Sequence, residues 1–238
     1  DDRFNGNLLV IGLGGVGSRT VCNLKGMMVD DIIPEDNIHF LMIDSDIPEM
    51  EQTIEDSKEH VGFNALEVLS IYRPNIENIL ADGIKKNPVH PNLANWMDAD
   101  FPDVTVTKDG AHGNRQIGRL MFSNAYEDIR MLLFDRLEEI HDKANGNWMD
   151  VIIVSSLSGG TGSGILSDLT YNIRAYGKAK KWANLRIGGC LLMPDVIFGN
   201  KSVTEDPELM FRMMANGCAA LKEVDYYMKL SEKAVSYT

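Results

Sequence analysis

The chain has 238 residues and a formal net charge of −12, a length that suits one good-sized domain or two small ones. Its hydrophobic fraction of 44% is typical of a globular protein that buries a real core. The negative charge argues against nucleic acid and anionic membrane as general partners, because the surface would repel both. We therefore expect any phosphate ligand to be held by a local arrangement that overrides the charge of the whole chain.

Alternating apolar strands and helical patterns occupy the first part of the chain. Residues 8–11 form a short apolar run that ends in glycines, which predicts a buried strand. Apolar positions at helical spacing begin at Val16, and a second strand is predicted over 38–43. An acidic, irregular segment is expected over 48–60, followed by a weak helix over about 64–84.

The middle of the chain is less regular. Residues 87–110 are rich in Pro, Asn and Asp, which predicts a long loop or insertion with a short strand at 104–106. Beyond this loop, apolar positions from Ile117 to Ile140 predict one long amphipathic helix.

The clearest buried strand covers residues 151–154, and a further strand is predicted over 187–193. Asp206 and Pro207 have the character of an N-cap and a first helical residue, and they predict the start of a final helix. Strands that alternate with helices indicate parallel βαβ units. We therefore predict an α/β fold with a mainly parallel sheet flanked by helices.

The first strand leads into a glycine-rich stretch, residues 12–18, here called the first glycine junction. At such a junction the backbone can approach a phosphate without a Cβ in the way, and the helix N-terminus offers unpaired N–H groups. A tight turn that binds nothing has the same composition. The candidate phosphate contacts are Gly14, Gly15, Val16, Gly17 and Ser18.

A second glycine junction, residues 158–164, follows the strand at 151–154. Its four glycines carry an entropy cost of order ~1 kcal/mol each in a regular element, and a turn needs only one or two of them. A cradle of backbone N–H groups around a phosphate would use all four, with hydroxyl donors from Thr161 and Ser163. The candidate contacts are Ser158, Gly159, Gly160, Thr161, Gly162 and Ser163.

Two further motifs stand between these junctions in the sequence. Residues 110–119 also precede a helix, so their N–H groups could face a terminal phosphate, although composition alone also fits a flexible loop. The acidic turn, residues 44–46, closes the second strand and could hold Mg²⁺ through water. An unoccupied turn has the same composition. In the first of these motifs, the candidate nucleotide contacts are Gly110, Ala111, Gly113 and Asn114. In the acidic turn, Asp44 and Ser45 are candidates for nucleotide, and Asp44 and Asp46 are candidates for Mg²⁺.

Together, these motifs resemble the tubulin/FtsZ superfamily in order and spacing over about residues 7–230. Residues 158–164 look like the family's signature phosphate loop, and residues 12–18 look like its first glycine loop. The acidic turn resembles the family's acidic loop near magnesium, and residues 110–119 resemble the loop of FtsZ around the γ-phosphate. The amino-acid sequence of these motifs resembles that of bacterial tubulin-like proteins more than that of eukaryotic tubulin.

The resemblance implies a Rossmann-like nucleotide-binding domain over residues 1–230 and a tail over 231–238, with the family's second domain absent. It implies GTP or GDP and Mg²⁺ as cofactors, and GTP hydrolysis at a head-to-tail contact between subunits of a filament. In the family the second domain carries the acidic loop that completes catalysis. We therefore assign no catalytic residue and expect the chain to hold nucleotide without the complete catalytic set.

Other positions are assigned from the same resemblance. Arg19 stands where FtsZ has an Asn near the base, and Glu205 and Glu208 are loose candidates for a ribose contact. No lysine lies in the loops, so Mg²⁺, backbone amides and an arginine at 19, 115 or 119 would balance the phosphate charge. The sequence leaves guanine and adenine both open.

Two other functions remain open. One is a non-polymerising scaffold that uses nucleotide only to order an interface. The other is an ATP-dependent adenylating enzyme of the ubiquitin-activating type, which has a similar first junction but no counterpart of residues 158–164. The three cysteines, Cys22, Cys190 and Cys218, lie in apolar stretches and predict buried, reduced thiols in a cytoplasmic protein.

Overall fold

The computed structural model describes residues 7–30, 37–57, 61–81, 96–97, 108–194 and 205–235. The strands are β1 (Asn7–Leu13), β2 (Ile38–Asp44), β3 (Val68–Ser70), β4 (Met149–Ser156) and β5 (Leu185–Leu192). The helices are α1 (Gly14–Val29), α2 (Ile47–Ser57), α3 (Ile76–Ala81), α4 (Arg115–Asn124), α5 (Tyr126–Ala144), α6 (Gly160–Ala179) and α7 (Pro207–Val235). Helix α7 continues beyond residue 230, the expected end of the domain.

The five described strands form one parallel sheet in the order β3-β2-β1-β4-β5. The chain leaves β1 toward β2 and β3 and later returns on the other side of β1 to form β4 and β5. The strand order therefore reverses at β1, and the region at the carboxyl ends of β1, β2 and β4 is here called the crevice. Ligands of open α/β sheets bind in a crevice of this kind. The predicted α/β fold is confirmed.

Helices cover both faces of the central strands, which explains why β1 is buried almost throughout. Leu9 and Ile11 point into a cluster with α4, α5 and α6, whereas Val10 points into a second cluster with Val21 of α1. This alternation places α1 on one face of the sheet and the other three helices on the opposite face. The N-termini of α1 and α6 both lie at the crevice, because each helix directly follows a strand that ends there.

Two predictions for the first part of the chain are wrong. Residues 48–57 of the segment expected to be irregular are helical, since α2 covers Ile47–Ser57; residues 58–60 lie outside the described residues. The apolar residues Met50 and Ile54 of α2 are one turn apart; Met50 is buried, and Ile54 packs against the cluster that contains Val21 of α1. The Asp46 carboxylate caps the first turn by accepting from Glu49 N at 2.8 Å. The weak helix over 64–84 is instead the strand β3 followed by α3, and β3 is defined by its pairing with β2.

The predicted single helix from Ile117 to Ile140 is also wrong, because α4 and α5 are separated at Ala125. Ala125 has φ −95° and ψ 9°, and its N–H still bonds to Met121 O. The apolar periodicity runs through this break, so the sequence pattern does not reveal it. The predicted loop over 87–110 and its strand at 104–106 lie largely outside the described residues.

The prediction of three buried thiols holds only for Cys22, whereas Cys190 and Cys218 are exposed. Cys190 lies on β5, the outermost strand of the described sheet, and Cys218 lies on the outer face of α7. In the described part of the chain, no helix is both long enough and apolar enough to span a membrane.

Candidate functional site

The first glycine junction is shorter than the sequence suggests, because α1 already begins at Gly14. Gly14 has φ +68°, a backbone conformation that glycine adopts without strain. A Cβ on Gly12 would lie 2.3 Å from Gly17 O, and one on Gly17 would lie 2.6 Å from Val154 O. Gly12 and Gly17 therefore allow α1 to sit directly on β1 and β4. The N-cap residue of α1, Leu13, makes no side-chain cap, so the first amides of α1 are candidates for binding an anion.

Packing explains most of the second glycine junction too. Helix α6 begins at Gly160, where a Cβ would lie 2.6 Å from Asn114 N. A Cβ on Gly162 would lie 2.5 Å from Ser155 Oγ, and one on Gly164 would lie 2.5 Å from Arg115 O. Close packing on α4 and the strand ends therefore already requires glycine at three of the four positions, so the number of glycines is not by itself a sign of a phosphate cradle.

Gly159 is different from the other three glycines, because a Cβ on it would have no atom within 4 Å. It is the N-cap residue of α6, with an extended backbone, and no side chain caps the helix there. The second glycine junction therefore presents an uncapped helix N-terminus with open space beside it, which suits an anion.

The two glycine junctions touch across the crevice. A Cβ on Gly14 would lie 3.3 Å from Gly162 N, so the uncapped ends of α1 and α6 face the same space. The third loop, defined here as residues 110–114, reaches the same place through its contact with Gly160. Its own helix is capped, however, because the Asn114 side chain accepts from Gln116 N and Ile117 N at 3.0 and 3.2 Å. Those two amides of α4 are therefore not free for phosphate.

The acidic turn lies at the end of β2, next to these junctions. Asp44 is buried, and its Oδ1 accepts from Ser45 N at 2.7 Å and from Asp46 N at 3.2 Å. Among the described residues its Oδ2 has no hydrogen-bond partner. Burial raises the pKa of Asp44 to about 7, although the two backbone donors favour the charged form. A buried carboxylate oxygen without a partner is costly unless a donor or a cation meets it.

Hydroxyl groups connect the acidic turn to the second glycine junction. Ser45 Oγ and Thr161 Oγ1 are 2.5 Å apart and buried. The Ser163 hydroxyl donates to Gly159 O and accepts from Arg115 Nε, so it is not the free phosphate donor that we expected. The hydroxyls of Ser18 and Ser158 are buried and have no partner among the described residues; these two remain able to meet a ligand.

Asp46 joins the acidic turn to the third loop. It forms a backbone bridge with Asp109, and a Cβ on Gly110 would lie 3.0 Å from Asp46 Cβ. Gly110 also has φ +93°, so glycine is required here on both grounds. Within the described ranges, no three His, Cys, Asp or Glu side chains are grouped to hold a metal ion alone. The pair Asp44 and Asp46 instead suits Mg²⁺ that is completed by water and phosphate oxygens.

The arginines are mostly committed to carboxylates. Arg115 forms a bidentate salt bridge with Glu223 of α7, with N–O distances of 3.1 and 2.5 Å. Arg119 forms a bidentate salt bridge with Asp168 of α6, with N–O distances of 2.6 and 2.9 Å. These pairs connect helices, so the expectation that Arg115 or Arg119 balances phosphate charge is not supported. Arg19 lies at the rim of the first junction, with 56% of its side chain exposed, and it pairs with Glu49.

Sequence reasoning missed Glu49 and Asn216. The Glu49 carboxylate lies against Gly15, since a Cβ there would overlap it, and the spacing Asp46-x-x-Glu49 is a capping-box pattern that could have revealed it. Asn216 Nδ2 donates to Gly113 O and Ser158 O. No sequence signal distinguishes Asn216, which stands inside a Met- and Ala-rich helix.

Glu208 lies in the first turn of α7, and 85% of its side chain is exposed. It pairs with Arg212 at 3.2 Å, and Arg212 in turn donates to His112 O in the third loop at 3.3 Å. Glu208 is therefore at the outer rim of the site, connected to the crevice through Arg212.

Known proteins give an independent comparison. Among solved structures, CetZ from Methanosaeta thermophila strain DSM 6194 is similar, with a TM-score of 0.50 at 18% sequence identity over 92% of this chain and 43% of that chain. CetZ2 from Haloferax volcanii, solved as a GTPγS-bound protofilament, has a TM-score of 0.41 at 12% identity over 90% of this chain and 56% of that chain. The chain thus spans about half the length of these proteins or less. No curated protein matches it.

The family model described as "Tubulin like" matches residues 9–238, which is nearly the whole chain. Its range includes both glycine junctions, the acidic turn and every strand of the described sheet but the first residues of β1. The chain belongs to the tubulin-like family of the tubulin/FtsZ superfamily.

Proposed function

We propose that the chain binds GTP or GDP together with Mg²⁺ in the crevice at the ends of β1, β2 and β4. The observation that carries this proposal is the meeting of two uncapped helix N-termini, of α1 and α6, beside a buried acidic turn. Two helix ends supply converging N–H donors and partial positive charge. Such a local field can attract a polyphosphate although the chain as a whole carries −12.

The phosphates would be held by backbone amides of residues 14–18 and 158–163. The unpartnered hydroxyls of Ser18 and Ser158 can donate to phosphate oxygens, which would remove two buried unsatisfied groups. Arg19 is the arginine best placed to approach the nucleotide, once it leaves Glu49. Guanine rather than adenine is inferred from the family to which the chain belongs.

The acidic turn fits Mg²⁺. Asp44 Oδ2 lacks a partner, and Asp46 lies beside it at the third loop. The ion would neutralise part of the phosphate charge, which favours phosphoryl transfer. Asp44 and Asp46 would hold it through water molecules, and binding would keep the Asp44 carboxylate ionised at neutral pH.

GTP hydrolysis is proposed for head-to-tail assemblies of the intact protein, as the family implies. A water oxygen would bond to the γ-phosphorus while the bond from that phosphorus to the bridging oxygen of GDP breaks, and the proton lost by the water would pass to the released phosphate. The crevice of this chain would position the triphosphate, and the neighbouring subunit would complete the site. A cytoplasmic location follows from the same proposal, and the acidic surface disfavours nucleic acid and membrane as partners.

A nucleotide-dependent scaffold without turnover is the second candidate. It is favoured by the commitment of Arg115 and Arg119 to Glu223 and Asp168, because few cations then remain in the described crevice to stabilise the transition state. Turnover that rises with protein concentration would support the assembling GTPase, whereas tight binding with no turnover would support the scaffold.

Calorimetric titration with GTP, GDP, ATP and NAD, each with Mg²⁺, tests the proposal. Tight binding of GTP and GDP without a response to ATP or NAD is the expected result. Binding of ATP alone would instead favour the adenylating enzyme, and no binding of any nucleotide would contradict the assignment of the crevice.

A further inference from the structure

Helix α7 contacts two of the loops that surround the crevice through one side chain. Asn216 Nδ2 donates to Gly113 O at 2.7 Å and to Ser158 O at 2.8 Å. Both partners are carbonyl oxygens, so the amide nitrogen must face them. A primary amide has two N–H donors, and both are used here. Asn216 therefore joins the third loop directly to the second glycine junction.

Neighbouring contacts hold α7 along the same loops. One turn before Asn216, Arg212 donates to His112 O at 3.3 Å. Two turns after it, Glu223 pairs with Arg115, which also donates to Ser163 O at 2.9 Å. Asn216 lies between these two contacts, on the side of α7 that faces the loops.

The third loop depends on such support. His112 and Gly113 both have positive φ, at +45° and +70°, and the conformation of His112 is unfavourable for a residue with a side chain. A Cβ on Gly113 would have its nearest neighbour at 3.7 Å, so the loop is not tightly packed at this point. The hydrogen bond from Asn114 N to Ala111 O lies within the loop itself and does not attach it to α6.

The third loop also lies where the end of a triphosphate would be. Gly110 packs against Asp46, one of the two acids proposed to hold Mg²⁺, and the ion would neutralise charge on the terminal phosphates of a bound nucleotide. Under the same proposal, the second glycine junction, whose Gly162 N lies beside Gly14 of α1, would hold the phosphates that GDP and GTP share.

We propose that Asn216 is a positioning residue that holds the third loop against the second glycine junction, so that both contact the same bound triphosphate. The inference rests on the proposed nucleotide binding. It goes further by assigning to a side chain outside the crevice a role in the preference for GTP over GDP. Loss of the two hydrogen bonds would loosen the tip of the third loop at Gly113 and weaken contact with the γ-phosphate more than contact with the other phosphates.

The test compares the affinities of GTPγS and GDP, each with Mg²⁺, for the 238-residue chain and for Asn216→Leu, which has similar volume and no donor. Two lost hydrogen bonds predict about tenfold weaker GTPγS binding, and GDP affinity should change less than about threefold. Asn216→Gln keeps the amide and should recover part of the preference. Cys218→Leu, at an exposed position two residues away on the same helix, is the matched control and should change neither affinity.

The outcomes separate this inference from the proposed function. If the wild-type chain binds both nucleotides and Asn216→Leu leaves their affinity ratio unchanged, Asn216 does not position the loop and the proposed function stands. If the wild-type chain binds no guanine nucleotide, both fail. Should Asn216→Leu not fold, Asn216→Asp decides the question, because its carboxylate repels both carbonyl oxygens and should cause the same selective loss of GTPγS.

Discussion

Gly159 offers a test of phosphate binding that leaves the fold intact. The substitution Gly159→Asp places a carboxylate at the N-cap of α6, where a Cβ has open space and no side chain caps the helix. Aspartate is among the preferred N-cap residues, and it is better than glycine by a few tenths of a kcal/mol. We therefore expect the variant to unfold at the same temperature as the wild type or slightly above it.

Nucleotide binding should respond in the opposite direction. The new carboxylate would accept the same N–H groups that a phosphate needs, and it would repel a phosphate charge at ~5 Å by about 3 kcal/mol with an effective dielectric constant of ~20. That energy corresponds to roughly 100-fold weaker binding of GTP and GDP. Substitutions at Gly160 or Gly162 would be less informative, because a Cβ there collides with the backbone and with Ser155.

Calorimetric titration and thermal unfolding measure the two effects separately. Gly62→Asp is the matched control, because Gly62 also has open space around its Cβ position and lies between α2 and β3, beside the C-terminal half of α1. It adds the same charge and should leave nucleotide affinity within about twofold, since exposed charges beyond ~10 Å are screened by salt. Unchanged affinity in Gly159→Asp, with an intact fold, would refute the assignment of the second glycine junction as a phosphate site.

Three further predictions concern stability. Gly160→Ala should lower the free energy of unfolding by about 1–3 kcal/mol, because its Cβ meets Asn114 N. Gly159→Ala is its control, and equal stabilities of the two variants in urea would contradict the packing argument. The pKa of Asp44 is raised from 3.8 to about 7 in the folded chain, so the ligand-free chain should lose stability as pH rises through this window. Above about pH 7, Asp44→Asn should be more stable than the wild type by about 1–4 kcal/mol. GTP with Mg²⁺ should reverse that order, and equal pH profiles would count against the burial argument. Burial, with Arg136 nearby, lowers the pKa of His39 from 6.5 to about 4, so stability should fall as pH drops through that range. His39→Gln should remove this loss of stability. If the loss persists in the variant, another titrating group is its cause.

Local sequence was sufficient for the fold class and for the position of the crevice. Apolar runs at 8–11, 38–43 and 151–154 have the length of strands and are followed by glycine or polar turn residues, which favours buried strands over helices. Helical patterns follow two of them. Parallel strands must end at the same edge of a sheet. The glycine junctions and the acidic turn therefore had to meet there, as they do in the contacts between Gly14 and Gly162 and between Ser45 and Thr161.

Only the tertiary structure decided what each of these residues does. Gly160, Gly162 and Gly164 follow the pattern of a phosphate cradle, yet their pro-Cβ positions are filled by α4 and the strand ends, whereas Gly159 alone faces open space. The commitment of Arg115 to Glu223, 108 residues away, and the bridge made by Asn216 between two loops arise from long-range packing. Sequence spacing carries no signal of such contacts, because their partners are brought together by the sheet and not by the local chain.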